Sequence, residues 1–486
     1  MAKLKVLFAT SEIAPLIKTG GLADVSAALP AALRHVGVDV RVLVPGYPQI
    51  LKQLTKFKVV ANFDGLPDFP ASRLLSSIVM DNLPLLVLDC PDLYQRDGGP
   101  YQDAMGQDWL DNAVRFGLLS KVAALLASRD SMFAWHPDLL HCNDWQTALA
   151  PAYLHFAEKK LPTVMTIHNL AFQGNFPKNT VQQLGLPSHC FDINGAEFYG
   201  NFSFLKAGLF YADHLTTVSP NYAREIQQDA LGFGMQGLLS TRSNELTGIL
   251  NGIDTDEWNA ETDIHLVKRY SHTKMSGKAV NKEALQSRMG LNLIPEIPLL
   301  GVVSRFTHQK GLDVLLEIVP RLVELPVQLA MLGSGDAVLQ DRARELSHLY
   351  PGKVGVMVGF DEALSHQIEA GADMFVMPSR FEPCGLNQMY SQRYGTPPIV
   401  HATGGLADSV VDYTPATLKD GTASGFIFSE VNAEHLYAAI QRAIQLYEDQ
   451  RSWKTLRKNC MSKDFSWRNS AEAYLGVYQQ VLRTKA

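Results

Sequence analysis

The chain has 486 residues, of which 46% are hydrophobic and 19% charged, and its formal net charge is −6. A chain of this length exceeds what one hydrophobic core organises, so two or three domains are expected. The chain has no large basic excess to neutralise a nucleic-acid backbone, so nucleic acid is not an expected partner. An anionic ligand would have to be bound by a local cluster of cationic side chains.

The cysteines and the apolar runs indicate the compartment. Five cysteines lie far apart, without a C-x-x-C pair, which is typical of a reducing environment and argues against a disulfide framework or a zinc site. The apolar run 6–9 is followed too soon by Glu12 for a signal peptide, and no window of about 18 apolar residues predicts a membrane span. The sequence therefore predicts a cytoplasmic protein without a membrane partner.

Short apolar, β-branched segments alternate with longer helical patterns along the chain, which is typical of α/β units with parallel sheets. In the first half, strands are predicted at 5–9, 40–44, 83–88, 139–142, 163–167 and 214–218, with helices such as 23–36 and 109–127 between them. In the second half, strands are predicted at 299–303, 327–332, 354–358, 374–377 and 398–401. The polar stretch 260–281 lacks a period and indicates a domain junction just before or within it.

One hexapeptide occurs twice, as T-G-G-L-A-D at 19–24 and again at 403–408, each time after a predicted strand and at the start of a helical pattern. The repeat favours two similar doubly wound domains, although a string this short can recur by chance. Ligands of such sheets bind beyond the carboxyl ends of the strands. Two facing domains would therefore enclose a cleft between their glycine turns.

The first glycine turn follows the strand 5–9 and carries Lys18, Gly20 and Gly21. Glycine allows close approach of the backbone to a ligand, and the N–H groups of a helix start attract anions. The alternative is a glycine-rich turn with a solvated lysine.

A second cationic cluster follows the strand 299–303, where Arg305 and Lys310 lie on either side of a loop that could hold a diphosphate. The alternative is that Arg305 and Lys310 are two surface charges without a ligand.

A carboxylate follows the strand 374–377. Glu382 could accept hydroxyl groups of a sugar or ribose, and the N–H groups of Cys384, Gly385 and Leu386 could point toward a ligand. The alternative is a carboxylate that only stabilises its own helix.

Polar side chains also end two strands of the first half. His168 and Asn169 follow the strand 163–167, and Asp144 and Trp145 follow 139–142. A carboxylate and an aromatic face suit a sugar, whereas a helix cap followed by a core tryptophan is the alternative. A lone histidine is more often structural than catalytic.

Three further patterns resemble ligand motifs without their context. The G-x-G-x-x-G string at 232–237 follows a helical run instead of a strand, and the G-S-G-D string at 333–336 lacks the third glycine. Asp254 and Asp256 form a D-x-D pair without a further carboxylate pattern, so no metal site is predicted there.

Together these segments resemble the bacterial glycogen synthases and plant starch synthases. The resemblance rests on K-T-G-G-L-A-D at 18–24, T-I-H-N-L-A-F-Q-G at 166–174, F-S-F-L-K-A-G-L at 202–209, G-I-L-N-G-I-D at 248–254 and the segments 305–312, 378–386 and 403–408. The motifs occur in the same order over nearly the whole chain. Asn387 and Met389 stand where threonine and leucine are usual, and Tyr390 occupies the position of a second glutamate in related retaining families.

The resemblance implies a GT-B fold, in which two doubly wound Rossmann-like domains face each other across a deep cleft. It implies an acceptor-side domain at 1–250, a donor-side domain at 251–465 and a helix at 466–486 that crosses back to the first domain. It further implies retaining transfer of glucose from ADP-glucose to the non-reducing end of an α-1,4-glucan, with glycogen or maltooligosaccharides as acceptors and without a cofactor or metal.

The resemblance also implies roles for individual residues. Lys18, Arg305 and Lys310 would hold the donor phosphates, His168 would contact the glucose, and Glu382 would lie beside the donor. The predicted catalytic residues are His168, Arg305, Lys310 and Glu382. The predicted substrate-binding residues are Lys18, Gly20, Gly21, Asp24, Tyr101, Asp144, Asn169, Cys384, Gly385, Leu386, Thr403, Gly404 and Gly405.

Retention of configuration usually involves a carboxylate nucleophile, and the matching segments offer no second carboxylate to pair with Glu382. The resemblance favours a front-face reaction, in which the departing phosphate deprotonates the acceptor and a carbonyl near His168 faces the positive anomeric carbon. Two alternatives are a GT-B transferase with a UDP donor or a non-glucan acceptor, and a glucan-binding scaffold without activity. A scaffold would tolerate loss of the cations and Glu382, all of which are present.

Overall fold

A computed structural model describes residues 3–79, 82–128, 133–159 and 161–485. The chain forms two compact units. The first comprises Met1–Val218, Ala223–Asn251 and Trp467–Ala486, and the second comprises Ser219–Tyr222 and Gly252–Ser466. No helix in the described ranges is both long and apolar enough to span a membrane.

The first unit is built on a mixed sheet. Its strands are β1 (Lys5–Ala9), β2 (Asp39–Pro45), β3 (Lys58–Phe63), β4 (Ser72–Val79), β5 (Leu83–Asp89), β6 (Leu139–Asn143), β7 (Thr163–Ile167), β8 (Asn175–Phe176), β9 (Glu197–Phe198), β10 (Asn201–Ser203), β11 (His214–Thr217) and β12 (Leu246–Gly248). The main sheet has the order β12-β11-β7-β6-β1-β2-β5-β4-β3, and β8, β10 and β9 form a small antiparallel sheet. β1, β6 and β7 are neighbours, so the loops that follow them lie together at one edge.

The first unit contains the predicted parallel sheet, and one edge of it carries two antiparallel strands that the sequence did not predict. β3 and β4 pair antiparallel with each other, and β4 pairs antiparallel with β5. Both strands were missed because they lack a continuous apolar run: β3 has no fully buried residue, and β4 alternates between buried and more exposed positions. Central parallel strands are covered on both faces and give the stronger sequence signal.

The second unit contains a six-stranded parallel sheet over its described residues. Its strands are β13 (Leu299–Val303), β14 (Gln328–Gly333), β15 (Val354–Val358), β16 (Met374–Met377), β17 (Pro398–His401) and β18 (Phe426–Phe428). The order is β15-β14-β13-β16-β17-β18, and every pair is parallel. The loops after β13, β16 and β17 therefore meet at one edge, as a doubly wound sheet requires.

Helices cover the sheets. They are α1 (Gly21–His35), α2 (Pro48–Gln53), α3 (Pro91–Tyr94), α4 (Asn112–Ala127), α5 (Leu149–Phe156), α6 (Thr180–Gln183), α7 (Phe204–Tyr211), α8 (Pro220–Glu225), α9 (Gln236–Thr241), α10 (Ser276–Arg288), α11 (Leu312–Leu322), α12 (Ala337–Leu349), α13 (Glu362–Gly371), α14 (Asn387–Arg393), α15 (Gly404–Ser409), α16 (Pro415–Lys419), α17 (Ala433–Glu448), α18 (Gln450–Met461) and α19 (Trp467–Lys485). α11 illustrates their packing: Leu312, Leu315 and Val319 recur at helical spacing and are buried in one apolar cluster with β13 and β14 residues.

The last helix, α19, belongs to the first unit. Tyr478 of α19 is fully buried, and its hydroxyl lies 2.7 Å from Nδ1 of His141 on β6. Nε2 of the same imidazole lies 2.6 Å from the Thr166 hydroxyl on β7. This polar contact ties the C-terminal helix to the strands whose ends carry Asp144 and His168.

Candidate active site

The glycine turn after β1 is open on its outer face. A Cβ atom added to Gly20 or Gly21 would meet nothing within 4 Å, and α1 begins at Gly21. Lys18 lies beside the turn with its side chain 54% exposed and pairs with Asp24 of α1 at 2.8 Å. The turn therefore offers a cation and open space to an anionic ligand, as the sequence predicts for a phosphate contact.

Glu12 organises this turn and was missed as a functional residue. Its Oε2 accepts hydrogen bonds from the N–H groups of Thr19 (2.5 Å) and Gly20 (3.3 Å). Its other oxygen accepts a hydrogen bond from the Tyr101 hydroxyl, which also contacts the Ser11 hydroxyl at 2.8 Å. Burial raises the pKa of Glu12, although the hydrogen bonds from Tyr101, Thr19 and Gly20 oppose that shift. The sequence shows only a glutamate seven residues before Thr19, and its burial and its contacts with the turn are visible only in the structure.

Glu12→Ala is expected to raise KM for the donor about tenfold, with a smaller change in kcat. Hydrogen bonds to a charged group contribute about 1.5–3 kcal/mol each, and without them the Lys18–Gly21 turn loses its fixed geometry. Steady-state kinetics of the purified variants would measure the effect. Glu12→Gln keeps an acceptor oxygen and should recover most of the affinity; equal KM values for wild type and Glu12→Ala would contradict the assignment.

Asp144 and His168 lie together at the ends of β6 and β7. The His168 N–H donates to Asp144 Oδ1 at 2.7 Å, and His168 Nε2 lies 2.9 Å from Asn143 Oδ1. Asp144 adopts φ 54°, a conformation that non-glycine residues rarely occupy outside functional or strained sites. Burial lowers the pKa of His168 to about 3, so the imidazole is neutral at pH 7. A neutral imidazole can donate one hydrogen bond and accept another, and contact of His168 with a sugar stays a prediction.

The carboxyl of Asp144 is 9% exposed, and burial raises its pKa to about 7, although N–H donors from His168 and Asn169 oppose the shift. In the unfolded chain this pKa is about 3.9. Between these values the folded protein holds a proton that the unfolded chain releases, so stability falls as the pH rises from about 4 to 7.

Asp144→Asn is expected to remove that pH dependence. The contribution reaches up to about 4 kcal/mol above pH 7, because each pKa unit corresponds to about 1.4 kcal/mol. Denaturant unfolding of wild type and variant at pH 5 and pH 8 would measure it. The variant should gain stability relative to wild type at the higher pH; parallel pH profiles would show that Asp144 is ionised in the folded protein.

Three other predicted contacts of the first unit have structural partners. Trp145 packs against aromatic rings such as Phe116, at 5.0 Å between centroids, which agrees with the alternative of a core tryptophan. Tyr101 also packs against Phe116, at 5.8 Å. The Asn169 side chain accepts a hydrogen bond from the Ala171 N–H at 3.1 Å. Direct contacts of Tyr101 and Asn169 with substrate stay predictions.

In the second unit, the loop after β13 presents Arg305 to solvent. Its guanidinium forms no ion pair or hydrogen bond with the residues that the structure describes. The loop itself is fixed, since Phe306 donates its N–H to Ser334 at 2.8 Å and Asp336 donates its N–H to Phe306 at 2.7 Å. The glycine string 333–335 thus supports the Arg305 loop. An exposed guanidinium on a fixed loop is suited to bind phosphate.

Lys310 and Glu382 form an ion pair 72 residues apart in sequence. Lys310 Nζ lies 2.5 Å from Glu382 Oε2, with the side chains 19% and 8% exposed. The Ser379 hydroxyl donates to the same oxygen at 3.0 Å. Arg380 binds Asp313 of α11 through two nitrogens at 2.7 and 2.6 Å and so fixes the loop that carries Glu382. The structure brings Lys310 and Glu382 together, and sequence analysis missed Arg380 and Asp313.

The second glycine turn differs from the first despite its identical sequence. Thr403, Gly404 and Gly405 are buried. The Gly405 N–H donates to the carbonyl oxygens of Glu382 and Pro383, both at 3.1 Å. A Cβ atom on Gly404 would lie 1.9 Å from the Glu382 carbonyl oxygen, and one on Gly405 would lie 2.0 Å from that of Cys384. In this structure the second turn supports the Glu382 loop, and direct substrate contacts by its residues stay a prediction.

The predicted residues Cys384, Gly385 and Leu386 form the end of this loop, directly before α14. Cys384 is buried. Gly385 has φ 69°, and Leu386 is the N-cap of α14. The Asn387 side chain, at a position where the resemblance predicts threonine, donates to the Val303 carbonyl of β13 at 2.9 Å. The loop is thus anchored at both ends.

The D-x-D pair is a local turn. Asp254 Oδ1 accepts hydrogen bonds from the N–H groups of Asp256 (2.9 Å) and Glu257 (3.0 Å). An aspartate that caps its own turn needs no metal to explain it.

The chain is similar to known glucan synthases over its whole length. Residues 5–241 match the family model of the starch synthase catalytic domain, and residues 287–459 match that of the group 1 glycosyl transferases. The chain is 59% identical to a glycogen synthase of Nitrosomonas eutropha, over 99% of this chain and 97% of that protein. It is 52% identical to a glycogen synthase of Dechloromonas aromatica over the full length of both.

Solved structures agree in fold. The catalytic domain of starch synthase IV from Arabidopsis thaliana, bound to ADP and acarbose, superposes with a TM-score of 0.86 at 31% identity, over 99% of this chain and 100% of that one. A sucrose-phosphate synthase from Thermosynechococcus elongatus shares the fold at a TM-score of 0.59 and 17% identity, again over 99% and 100% of the chains. Both units are α/β layers with parallel strands, as in GT-B enzymes. The chain therefore belongs to the glycogen synthase and starch synthase family of GT-B glycosyltransferases.

Proposed function

We propose that this chain transfers glucose from ADP-glucose to the non-reducing end of an α-1,4-glucan, with retention of configuration. The observation that carries the proposal is the exposed Arg305 guanidinium, which lies on the β13 loop of the unit that also holds the Lys310–Glu382 pair. Two cations at one sheet edge suit a diphosphate leaving group. The relative from Arabidopsis thaliana binds ADP and acarbose, which supports an adenine nucleotide and a glucan.

The first unit supplies groups suited to the sugar. The His168 carbonyl accepts no hydrogen bond from the part of the chain that the structure describes, so its lone pairs are available to a positive anomeric carbon. In this proposal Asp144 fixes the backbone at His168 through its 2.7 Å hydrogen bond. Lys18, Gly20 and Gly21 provide the distal phosphate contact. The leaving phosphate then takes the acceptor proton, and no covalent glucosyl-enzyme forms.

The donor and acceptor are tested by incorporation of labelled glucose into glycogen from ADP-glucose and from UDP-glucose at equal concentrations. ADP-glucose should give the higher kcat/KM, and digestion of the product should release only α-1,4-linked glucose. A higher kcat/KM with UDP-glucose would contradict the donor. Absence of incorporation from both donors would favour the glucan-binding scaffold.

The proposed reaction uses cationic side chains at the phosphates and needs no metal or cofactor there. Activity is therefore expected to survive EDTA, because Arg305, Lys310 and Lys18 supply the charge that a metal ion provides elsewhere. Rates with EDTA and with added MgCl₂ would measure this. Loss of activity with EDTA, restored by Mg²⁺ or Mn²⁺, would reopen the case for Asp254 and Asp256.

We also propose a cytoplasmic location. All five cysteines are buried free thiols, which is typical of a reducing compartment.

A further inference from the structure

A cluster of metal-ligating side chains lies in the second unit and shares no residue with the proposed donor site. Glu362 and His366 are one helical turn apart on α13, and Glu257 reaches them from the turn that Asp254 caps. One ligand atom of each residue lies within 4.8 Å of the other two. We propose that Glu257, Glu362 and His366 bind a divalent transition-metal ion of the zinc class.

His366 has the geometry of a metal-binding imidazole. The residue is 1% exposed, and its Nδ1–H donates to Asp263 Oδ2 at 2.8 Å. Its Nε2 lies 3.5 Å from a Glu362 carboxylate oxygen and makes no hydrogen bond with any described residue. Metal-binding histidines typically donate their second ring N–H to a carboxylate, which fixes the tautomer and the ring. Here the oriented, unbonded nitrogen faces the carboxylates.

The chemistry of the set favours a zinc-class ion over calcium or magnesium. Zinc accepts both imidazole nitrogen and carboxylate oxygen as ligands and can hold water in a remaining position, whereas Ca²⁺ and Mg²⁺ prefer oxygen ligands only. Glu362 is 46% exposed, so an ion has access from solvent.

Carboxylates on both sides of the imidazole favour a cation here: Asp263 Oδ2 lies 2.8 Å from Nδ1, and a Glu362 oxygen lies 3.5 Å from Nε2. The alternative occupant of Nε2 is a proton, which gives an imidazolium that stacks on the Trp258 ring at 3.9 Å and 10°. An imidazolium uses Glu362 only as a counter-ion and gives no saturable metal binding.

Trp258 connects the cluster to the donor side of the unit. Its ring stacks between His366 and Tyr390, which lies 3.7 Å away on α14. α14 directly follows the Glu382 loop. A metal at His366 would thus lie beside this stack, and Trp258 provides a fluorescent reporter beside the ligand.

The test is titration of the chelator-treated, full-length protein with ZnCl₂ at pH 8 by calorimetry, with CoCl₂ quenching of tryptophan fluorescence as the second readout. Wild type should bind one Zn²⁺ saturably. Glu257→Gln and Glu362→Gln change exposed side chains and should each weaken binding at least about tenfold, and Asp263→Asn about 10–100-fold. Trp258→Phe should remove most of the quenching by Co²⁺.

His435→Gln is the matched control. His435 Nδ1 lies 3.8 Å from Glu430 Oε2 on the surface of the same unit, and its loss should leave Zn²⁺ affinity unchanged. Absence of saturable Zn²⁺ binding in wild type would overturn the proposal. So would equal affinity of wild type and Glu362→Gln, when circular dichroism shows both to be folded.

Discussion

Arg305→Ala is expected to lower kcat by about 10²–10³-fold, with a much smaller rise in KM for the donor. The donor phosphates are already charged before the reaction. Part of each cationic contact therefore stabilises the bound donor and the transition state equally, and this part appears only in KM. Bond cleavage adds negative charge to the oxygen that leaves the glucose. A guanidinium directed at that oxygen gains strength as the charge develops, and this gain appears in kcat.

The three cations give an internal comparison. Lys310→Ala should also depress kcat, but it leaves the Glu382 carboxylate, which is 8% exposed, without its cation. Arg305→Ala tests the role of the cation more directly, because its guanidinium forms no ion pair or hydrogen bond with any described residue. Lys18, which is 54% exposed and pairs with Asp24, should show mainly a KM effect if it holds the distal phosphate.

Arg342→Ala provides the control, because Arg342 is a half-exposed arginine of the same unit, paired with Glu345 on α12. Its kinetics should match wild type. If Arg305→Ala and Lys310→Ala both keep kcat near wild type while KM alone rises, these residues are donor anchors and the charge-stabilising role is wrong.

Gly405→Ala is expected to lower kcat by about 10²-fold, whereas Gly21→Ala in the identical hexapeptide should not lower kcat comparably. The new Cβ at 405 would lie 2.0 Å from the Cys384 carbonyl oxygen, so the Glu382 loop must move away by more than about 1 Å to restore an ordinary contact of about 3.5 Å. A displacement of this size at a catalytic group costs on the order of 10² in rate. Overpacking should also lower the free energy of unfolding by about 1–3 kcal/mol.

At Gly21, the first residue of α1, a Cβ meets nothing within 4 Å, so alanine introduces no steric clash. The melting temperature of Gly21→Ala should therefore be unchanged, and any loss of activity should appear in KM for the donor, where the methyl group enters the space of the ligand. Thermal unfolding and steady-state kinetics of the two variants would measure both effects. Wild-type kcat in Gly405→Ala would show that the Glu382 loop is not positioned by the second turn.

Part of the fold was predictable because its signals are local. A strand such as β7 is buried at every position and is therefore rich in apolar and β-branched residues, and the predicted strand 163–167 coincides with Thr163–Ile167. The edge strand β3 has no such constraint, because both polar and apolar side chains are tolerated at its partly exposed positions. Its sequence therefore shows no hydrophobic pattern that predicts a strand. The order of motifs along the chain was sufficient to predict the family, because the match to glycogen synthases extends over 99% of the chain.

The sequence by itself determined the central parallel strands of both main sheets, the glycine turns that follow two of them and the presence of Arg305, Lys310 and Glu382 at strand ends. Only the tertiary structure decided which of these groups pair. Lys310 reaches Glu382 because β13 and β16 are neighbours in the sheet, and Glu12 binds the turn at Thr19 and Gly20 because the chain folds back after β1. The same hexapeptide forms an open turn at Gly20 and Gly21, whereas at Gly404 and Gly405 it is buried against the Glu382 loop. A hexapeptide fixes its own backbone preferences, whereas the segment that packs against it is set by strand order, which depends on contacts between residues far apart in the chain.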